Sequence, residues 1–270
     1  MIRVGGFIVC LAIVAALAGP VLWPHDPATQ ELARRLEAPS LSHPLGLDEL
    51  GRDILARVLA GARISFLVGI IVVGISSTVG TLLGAIAGYF GGIVDDVISR
   101  TIDTLLAFPG LLLAIAIVAV LGPSLANVLI ALTIIGWVGY ARLVRGQVLR
   151  AREFEYVQAA RAMGAPVTRV LWRHVIPSAM PAVVVQATLG MAGAIIGEAG
   201  LSFLGLGVQP PTPSWGTMLN GGRAHLLDAP HLTIFPGVAI AVLVLGFNFL
   251  GDGLRDWSDT KRKQKVEVRT

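Results

Sequence analysis

The side chains of this sequence with chemistry to offer are few: one carboxylate inside an apolar run, five imidazoles and one thiol. Glu198 stands in "AGAIIGEAGLSFLGLG" with no other charge beside it. A carboxylate at membrane depth is costly and usually faces a bundle interior or a watery cavity, so a pathway or gate role and a structural role both stay open. Counting from Pro181 sets it toward the outer end of its run, where hydration is easier. His174, His225 and His231 show no nucleophile–base or metal-ligand pattern, which argues against an integral-membrane enzyme. His25 and His43 read as isolated, solvated loop histidines without metal-site spacing. Cys10 is the single cysteine, so neither an intrachain disulfide nor a Cys-based metal cluster can form. The only lysines, Lys261, Lys263 and Lys265, lie in the tail, and G-x-x-x-x-G-K-[ST] is absent; the chain cannot be its own P-loop ATPase.

The elements that would position these residues are membrane helices. Hydrophobic residues make up 54% of the 270, charged ones 14%, and mean hydropathy is +0.76. This composition implies an all-α integral membrane protein. At about 1.5 Å per residue, some 20 residues cross a hydrocarbon core of roughly 30 Å. Six segments qualify: 4–23, 64–90, 104–122, 124–140, 181–207 and 232–250. With the N-terminus inside, the inner segments hold 15 of the 21 Lys and Arg residues. The positive-inside rule therefore sets both termini in the cytoplasm. Ala16-Leu17-Ala18 resembles a signal-cleavage site, but a run of about 20 residues is long for a signal core, and a retained first helix is expected. The division expected is 1–63, a first helix with an extracytoplasmic segment and an amphipathic helix; 64–255, the transmembrane domain; and 256–270, a basic tail. Topology accounts for the net charge of +4 without a nucleic-acid partner.

Smaller patterns refine this. Ile54, Leu55, Val58, Leu59 and Ala62 form a helical stripe that predicts an amphipathic helix lying at the interface before the second span. Gly80, Gly84 and Gly88, and again Gly193 and Gly197, recur at the four-residue spacing that lets helices approach closely within one bundle. Asp96 and Arg100 are spaced for an i, i+4 ion pair.

Between the fourth and fifth spans lies "EYVQAARAMGAPVTRVLWRHVIP", polar and basic. Gly164 suits a left-handed helix end, and Pro166 disfavours helix at Ala165 while fitting the first turn of a new one. A short helix, a bend at Gly164-Ala165 and a second short helix ending at Pro177 are predicted. The result is either a basic loop that fixes topology or a compact knob whose small residues enter another protein's groove, with Arg161, Arg169 and Arg173 free for carboxylates or lipid phosphates.

This stretch resembles the cytoplasmic loop signature of ABC importer permeases, E-A-A-x3-G-x9-I-x-L-P. Gln158, Ala159, Ala160, Gly164, His174, Ile176 and Pro177 stand in register, with Gln158 in the acidic position and His174 in an apolar one. The resemblance extends through "HPLGLDELGRDILARVLAGARIS", "GYFGG", "GEAGLSFLGLGVQPPTPSWGTML" and "GDGLRD" to the dipeptide and oligopeptide permease family, its second permease subunit. It implies a type I importer bundle in a bacterial or archaeal plasma membrane. The knob (Gln158, Ala159, Ala160, Arg161, Gly164 and Pro177) would then be a coupling helix seated on an ATPase. The implied partners are a homologous permease subunit, two ATPase subunits holding ATP and Mg, and an extracytoplasmic solute-binding protein. Short peptides are the implied cargo, with nickel complexes, glutathione or another small solute as alternatives. A self-powered channel or secondary transporter is the rival class; it should usually show charge relays or broken repeat halves, and only Glu198 stands out among the later spans.

Overall fold

The computed structural model describes the backbone of residues 1–267 and, Pro20 apart, the side chains up to residue 258. The lysines of the basic tail expected at 256–270 lie outside the described side chains. The helices are α1 (Ile2–Leu22), α2 (Ile54–Phe90), α3 (Gly92–Leu106), α4 (Gly110–Leu121), α5 (Leu125–Ala151), α6 (Glu155–Ala162), α7 (Val167–Val170), α8 (Ile176–Phe203), α9 (Trp215–Gly222) and α10 (His231–Glu267). Among the described residues five are long and apolar enough to cross a membrane. The α3–α4 pair, bent by 87°, makes a sixth if it is counted as one span.

Two of the expected spans change shape. The segment 104–122 is not straight: α3 ends at Ala107 and Pro109 caps α4 with φ −57° and ψ 122°. Pro109 drives Phe108 out of the helical region, and the chain turns there. The second span begins at Ile54, not at residue 64, because Asp53 caps it by accepting from Ala56 N at 2.7 Å and no proline interrupts the 37 residues that follow. The stripe predicted to lie on a lipid interface faces protein instead. Trp215 of α9 donates its indole N–H to the Val58 carbonyl at 2.9 Å and fills the space beside Gly61.

The centre of the bundle is the contact of α2 with α5. Gly80 faces the Trp137 carbonyl and Tyr140, Gly84 the backbone of Ala141, and Gly88 the Arg145 carbonyl and Val148. The repeat thus brings two helices of one chain together. A Cβ on Gly88 would sit 2.9 Å from the Arg145 carbonyl oxygen. Against α2 and α10 packs α1, whose Gly5 lies on the backbone of Gly246 and Leu250. Arg63 locks its other end by donating to the carbonyls of Ala16 and Leu17 at 2.7 and 3.0 Å, inside the A-x-A stretch. Asp96 and Arg100 do not pair. Their neighbours do: Arg145 of α5 grips Asp95 through Nε and through Nη2 (2.7 Å), and Arg142 meets Asp103 at 2.8 Å.

Because the seam is backbone against backbone, a branched side chain has nowhere to go. We expect Gly84→Leu to lower stability by about 3 kcal/mol or more, read as a lower thermal midpoint in detergent. Gly74→Leu, where an added Cβ meets nothing within 4 Å, should melt like the parent.

Candidate functional site

The interrupting stretch folds into α6, a bend, and α7. Glu155 sits in the first turn of α6, where a carboxylate complements the helix dipole. Val157 and Ala160 turn inward onto Val144, Val148, Val170 and Val175. At the far end Gly164 takes φ +76°, with its N–H bonded to the Arg161 carbonyl at 2.9 Å and the Ala165 N–H to the Ala160 carbonyl at 3.1 Å. This paired closure is the Schellman arrangement, and only glycine enters it without strain. Pro166 then caps α7.

The second short helix does not end at Pro177. It passes through a π-helical turn, Leu171–Val175, directly into α8, and Pro177, which has no N–H to give the turn before it, follows that turn immediately. The knob is therefore the cytoplasm-predicted extension of a span. Gln158, Ala159, Gly164 and Pro177 are exposed, as are Met163 at 82%, Trp172, Arg169 and Arg173. Arg161 departs from the free arginine expected, since its guanidinium carbon lies 4.6 Å from the centre of the Tyr89 ring. Arg152 bonds the Gly88 carbonyl at 3.0 Å. Neither Tyr89 nor Arg152 carries a local sequence signal; both matter because the glycine seam ends beside them.

A cavity of about 460 Å³ opens between α2, α4, α5 and α8. Gly190, Gly193, Gly197 and Gly200 form its α8 wall, opposite Ser76, with Tyr140 and Gln186 as polar groups. The small-residue face of the fifth span thus borders open space: an added Cβ at Gly193 meets nothing within 4 Å.

Glu198 is 0% exposed and is not among the residues lining that cavity. Its Oε1 accepts from the Ser202 hydroxyl at 2.6 Å, and Ser202 in turn accepts from Val208 N at 3.2 Å. The carboxyl so braces residues 204–214 against α8, where Ser214 begins α9 with a reciprocal cap to Thr217. Its Oε2 has no hydrogen-bond partner among the described residues.

The histidine expectations change. His43 is 4% exposed, with Nδ1 2.7 Å from Asp53 Oδ2 and Nε2 3.2 Å from Arg34 Nη1. A guanidinium only donates, so Nε2 accepts and the ring proton sits on Nδ1, facing Asp53. Asp53 Oδ1 takes the Trp23 indole N–H at 3.1 Å as well as Ala56 N. Ligand atoms of His25, His43 and Asp53 lie within 4.8 Å of one another. A metal on Nδ1 would push the proton to Nε2 against Arg34, so the group is a hydrogen-bonded cap joining the end of α1, residues 24–53 and the start of α2. The Arg34 guanidinium, bonded also to Glu37, holds that carboxyl below its usual range. Nearby, Asp48 accepts from Arg52 Nε at 2.7 Å and lies 3.4 Å from Arg57 Nε.

A helical membrane bundle with a protruding knob and a glycine-walled cavity has the build of a transporter subunit. Residues 80–264 match the family described as binding-protein-dependent transport system inner membrane component. The chain is 48% identical over 260 residues to the glutathione transport system permease protein GsiD of Salmonella typhimurium, covering 96% of this chain and 86% of the relative. It is 46% identical, with the same coverage, to the dipeptide transport system permease protein DppC of Alkalihalophilus pseudofirmus. A chain of the MetNI methionine ABC transporter, solved in inward-facing conformations, shares its fold with TM-score 0.59 at 18% identity, over 74% of this chain and 95% of that one. The chain belongs to the inner-membrane components of binding-protein-dependent transport systems and is an ABC importer permease, an integral membrane protein.

Asp53→Ala removes a helix cap and two side-chain partners at once. The expected loss is about 2 to 4 kcal/mol, measured by thermal unfolding in detergent, with Asp53→Asn recovering part of it. Glu198→Ala should speed proteolytic cleavage within residues 204–214 by about ten-fold, the effect of losing one buried hydrogen bond.

Proposed function

We propose that this chain is the second permease subunit of an ATP-driven importer of dipeptides or oligopeptides. It pairs with a homologous permease, two ATPase subunits that bind ATP and Mg and carry out hydrolysis, and an extracytoplasmic binding protein. The observation that carries this reading is α6: a two-turn helix, closed by Gly164, that presents Gln158, Ala159 and Met163 outward while its other face is rooted in the bundle core. Rooting and exposure together are what a mechanical contact needs. An approach of two ATPase subunits pushes on α6, the bundle alternates its opening, and solute delivered by the binding protein passes the cavity walled by α8. Residues 64–255 act as the transmembrane domain in this reading, with 1–63 leading into it and 256–270 as a basic tail.

The orientation proposed has both termini in the cytoplasm. The end of α1 meets the start of α2 through Arg63, whereas α6 meets the end of α2, so Met1 and α6 share a side. That side also carries Arg142, Arg145, Arg150, Arg152, Arg169 and Arg173. Glutathione is the specific alternative cargo, on the strength of the relative at 48% identity; it is itself a short peptide. Nickel complexes fit the cavity less well, since its lining offers no His or carboxylate.

Ala159→Trp adds bulk on the outward face without meeting the core, and Gly164→Trp adds bulk there while also straining the positive-φ closure of α6. Each should reduce the ATPase subunits that co-purify with this chain by about ten-fold, equivalent to 1.4 kcal/mol of docking energy. Normal co-purification together with normal uptake would refute the docking role. Competition between labelled dialanine and glutathione for uptake separates the two cargoes.

A further inference from the structure

We infer that Arg161 faces away from the ATPase and serves, with Tyr89, as the strut that ties the coupling helix to α2 and so to the cavity wall; this rests on α6 being the coupling helix. Arg161 is in the last turn of α6, and its guanidinium carbon stands 4.6 Å from the Tyr89 ring centre. No carboxylate pairs with it among the described residues, and its Nε is buried without a hydrogen-bond partner. A cation that has given up water for a ring face is held by that ring. Tyr89 is itself wedged, packed against the core that Val157 and Ala160 enter and edge-on to Phe90 at 5.5 Å.

The covalent links of α6 run to α5 and α7. Through α5 the near end of α6 already sits on α2, the helix that contributes Val72, Val73 and Ser76 to the cavity. Two arginines add polar ties to α2: Arg152 on the Gly88 carbonyl, just before α6, and Arg161 on Tyr89, at the far end that α5 does not hold. Fixed at both ends, α6 cannot tilt without carrying the end of α2. From Tyr89 to Ser76 the helix is unbroken, about 20 Å of rigid rod. A push on the knob therefore arrives at the cavity as movement of that wall. Arg161 and Tyr89 are positioning residues, outside the ATPase contact and outside the solute path.

The test uses the complete transporter purified through this chain, in a Cys10→Ser background with Gly193→Cys as reporter. Cys10 is the sole native thiol of this chain, labelling is read on this chain after the subunits are separated, and Gly193 lines the cavity with room for a side chain. The rate of labelling by a membrane-impermeant maleimide is compared without nucleotide and with ATP plus vanadate. In the parent the rate should change by at least about three-fold. In Tyr89→Leu the change should fall below about 1.5-fold while co-purified ATPase subunits and ATP hydrolysis stay within about two-fold of the parent. Tyr89→Phe, which keeps the ring face, should restore the change. If Tyr89→Leu fails to accumulate, Arg161→Gln carries the same expectation.

Loss of ATPase subunits in Arg161→Gln would make Arg161 a docking contact and overturn the strut. So would an unaltered labelling change in both variants, or a parent that shows none. Failure of the coupling-helix reading looks different: Ala159→Trp would then leave the ATPase bound.

Discussion

The close approach of α2 and α5 is the constraint on which the rest of the molecule depends. Three glycines at four-residue spacing strip side chains from one face of α2, and α5 lies on bare backbone from Trp137 to Val148. In lipid, apolar surface gains little from leaving its surroundings, so such contacts hold by van der Waals packing rather than by the hydrophobic effect. The gain depends on atoms touching along the whole length. That fixes the rotation of α5, and with it the direction in which the chain leaves at Ala151 to form α6. It also sets Arg152 against the Gly88 carbonyl and Arg161 against Tyr89. The site is a consequence of the seam.

Polar groups then anchor what packing leaves free. Helix ends have carbonyls and N–H groups without helical partners, and each needs a substitute where water is scarce. Arg63 supplies two donors to the end of α1, Asp53 accepts at the start of α2, and Ser214 closes α9. His43 shows how specific such a device is. Flanked by a donor-only arginine and an acceptor-only carboxylate, it is held in one tautomer, and one ring joins two strands of the cap.

Much of this was legible in sequence because it depends on near neighbours along the chain. Hydropathy located five of the spans and, at 104–122, the apolar segment that became the bent α3–α4 pair, and the bend after α6 followed from Gly164 and Pro166, whose backbone preferences are intrinsic. What escaped was non-local. The Ile54 to Ala62 stripe is equally apolar whether it meets lipid or Trp215. The burial of His43 depends on Asp53, ten residues on, folding back over it, and Arg161 on a ring 72 residues earlier in the chain. The continuation of α7 into α8 escaped for another reason: Pro177 reads as a helix breaker, and the π-helical turn Leu171–Val175 that carries the helix up to it leaves no mark in the local sequence.

The two glycine repeats carry the sharper lesson. The same spacing gives α2 a packing seam and gives α8 a cavity wall, so spacing alone does not specify contact. What differs is the opposing helix. Facing Gly80 to Gly88, α5 presents Ala141 and Val148 and comes close. Facing Gly190 and Gly197, it presents the side chains of Tyr140 and Leu132, and between them Gly193 meets nothing within 4 Å. Small residues laid on backbone close a gap, and a small residue between two bulky props leaves one. A polar molecule crossing such a gap finds few side chains to bind it, apart from Tyr140, Gln186 and Ser76. Weak, sparse contact suits passage, because a solute held tightly at the centre of the bundle would not leave it.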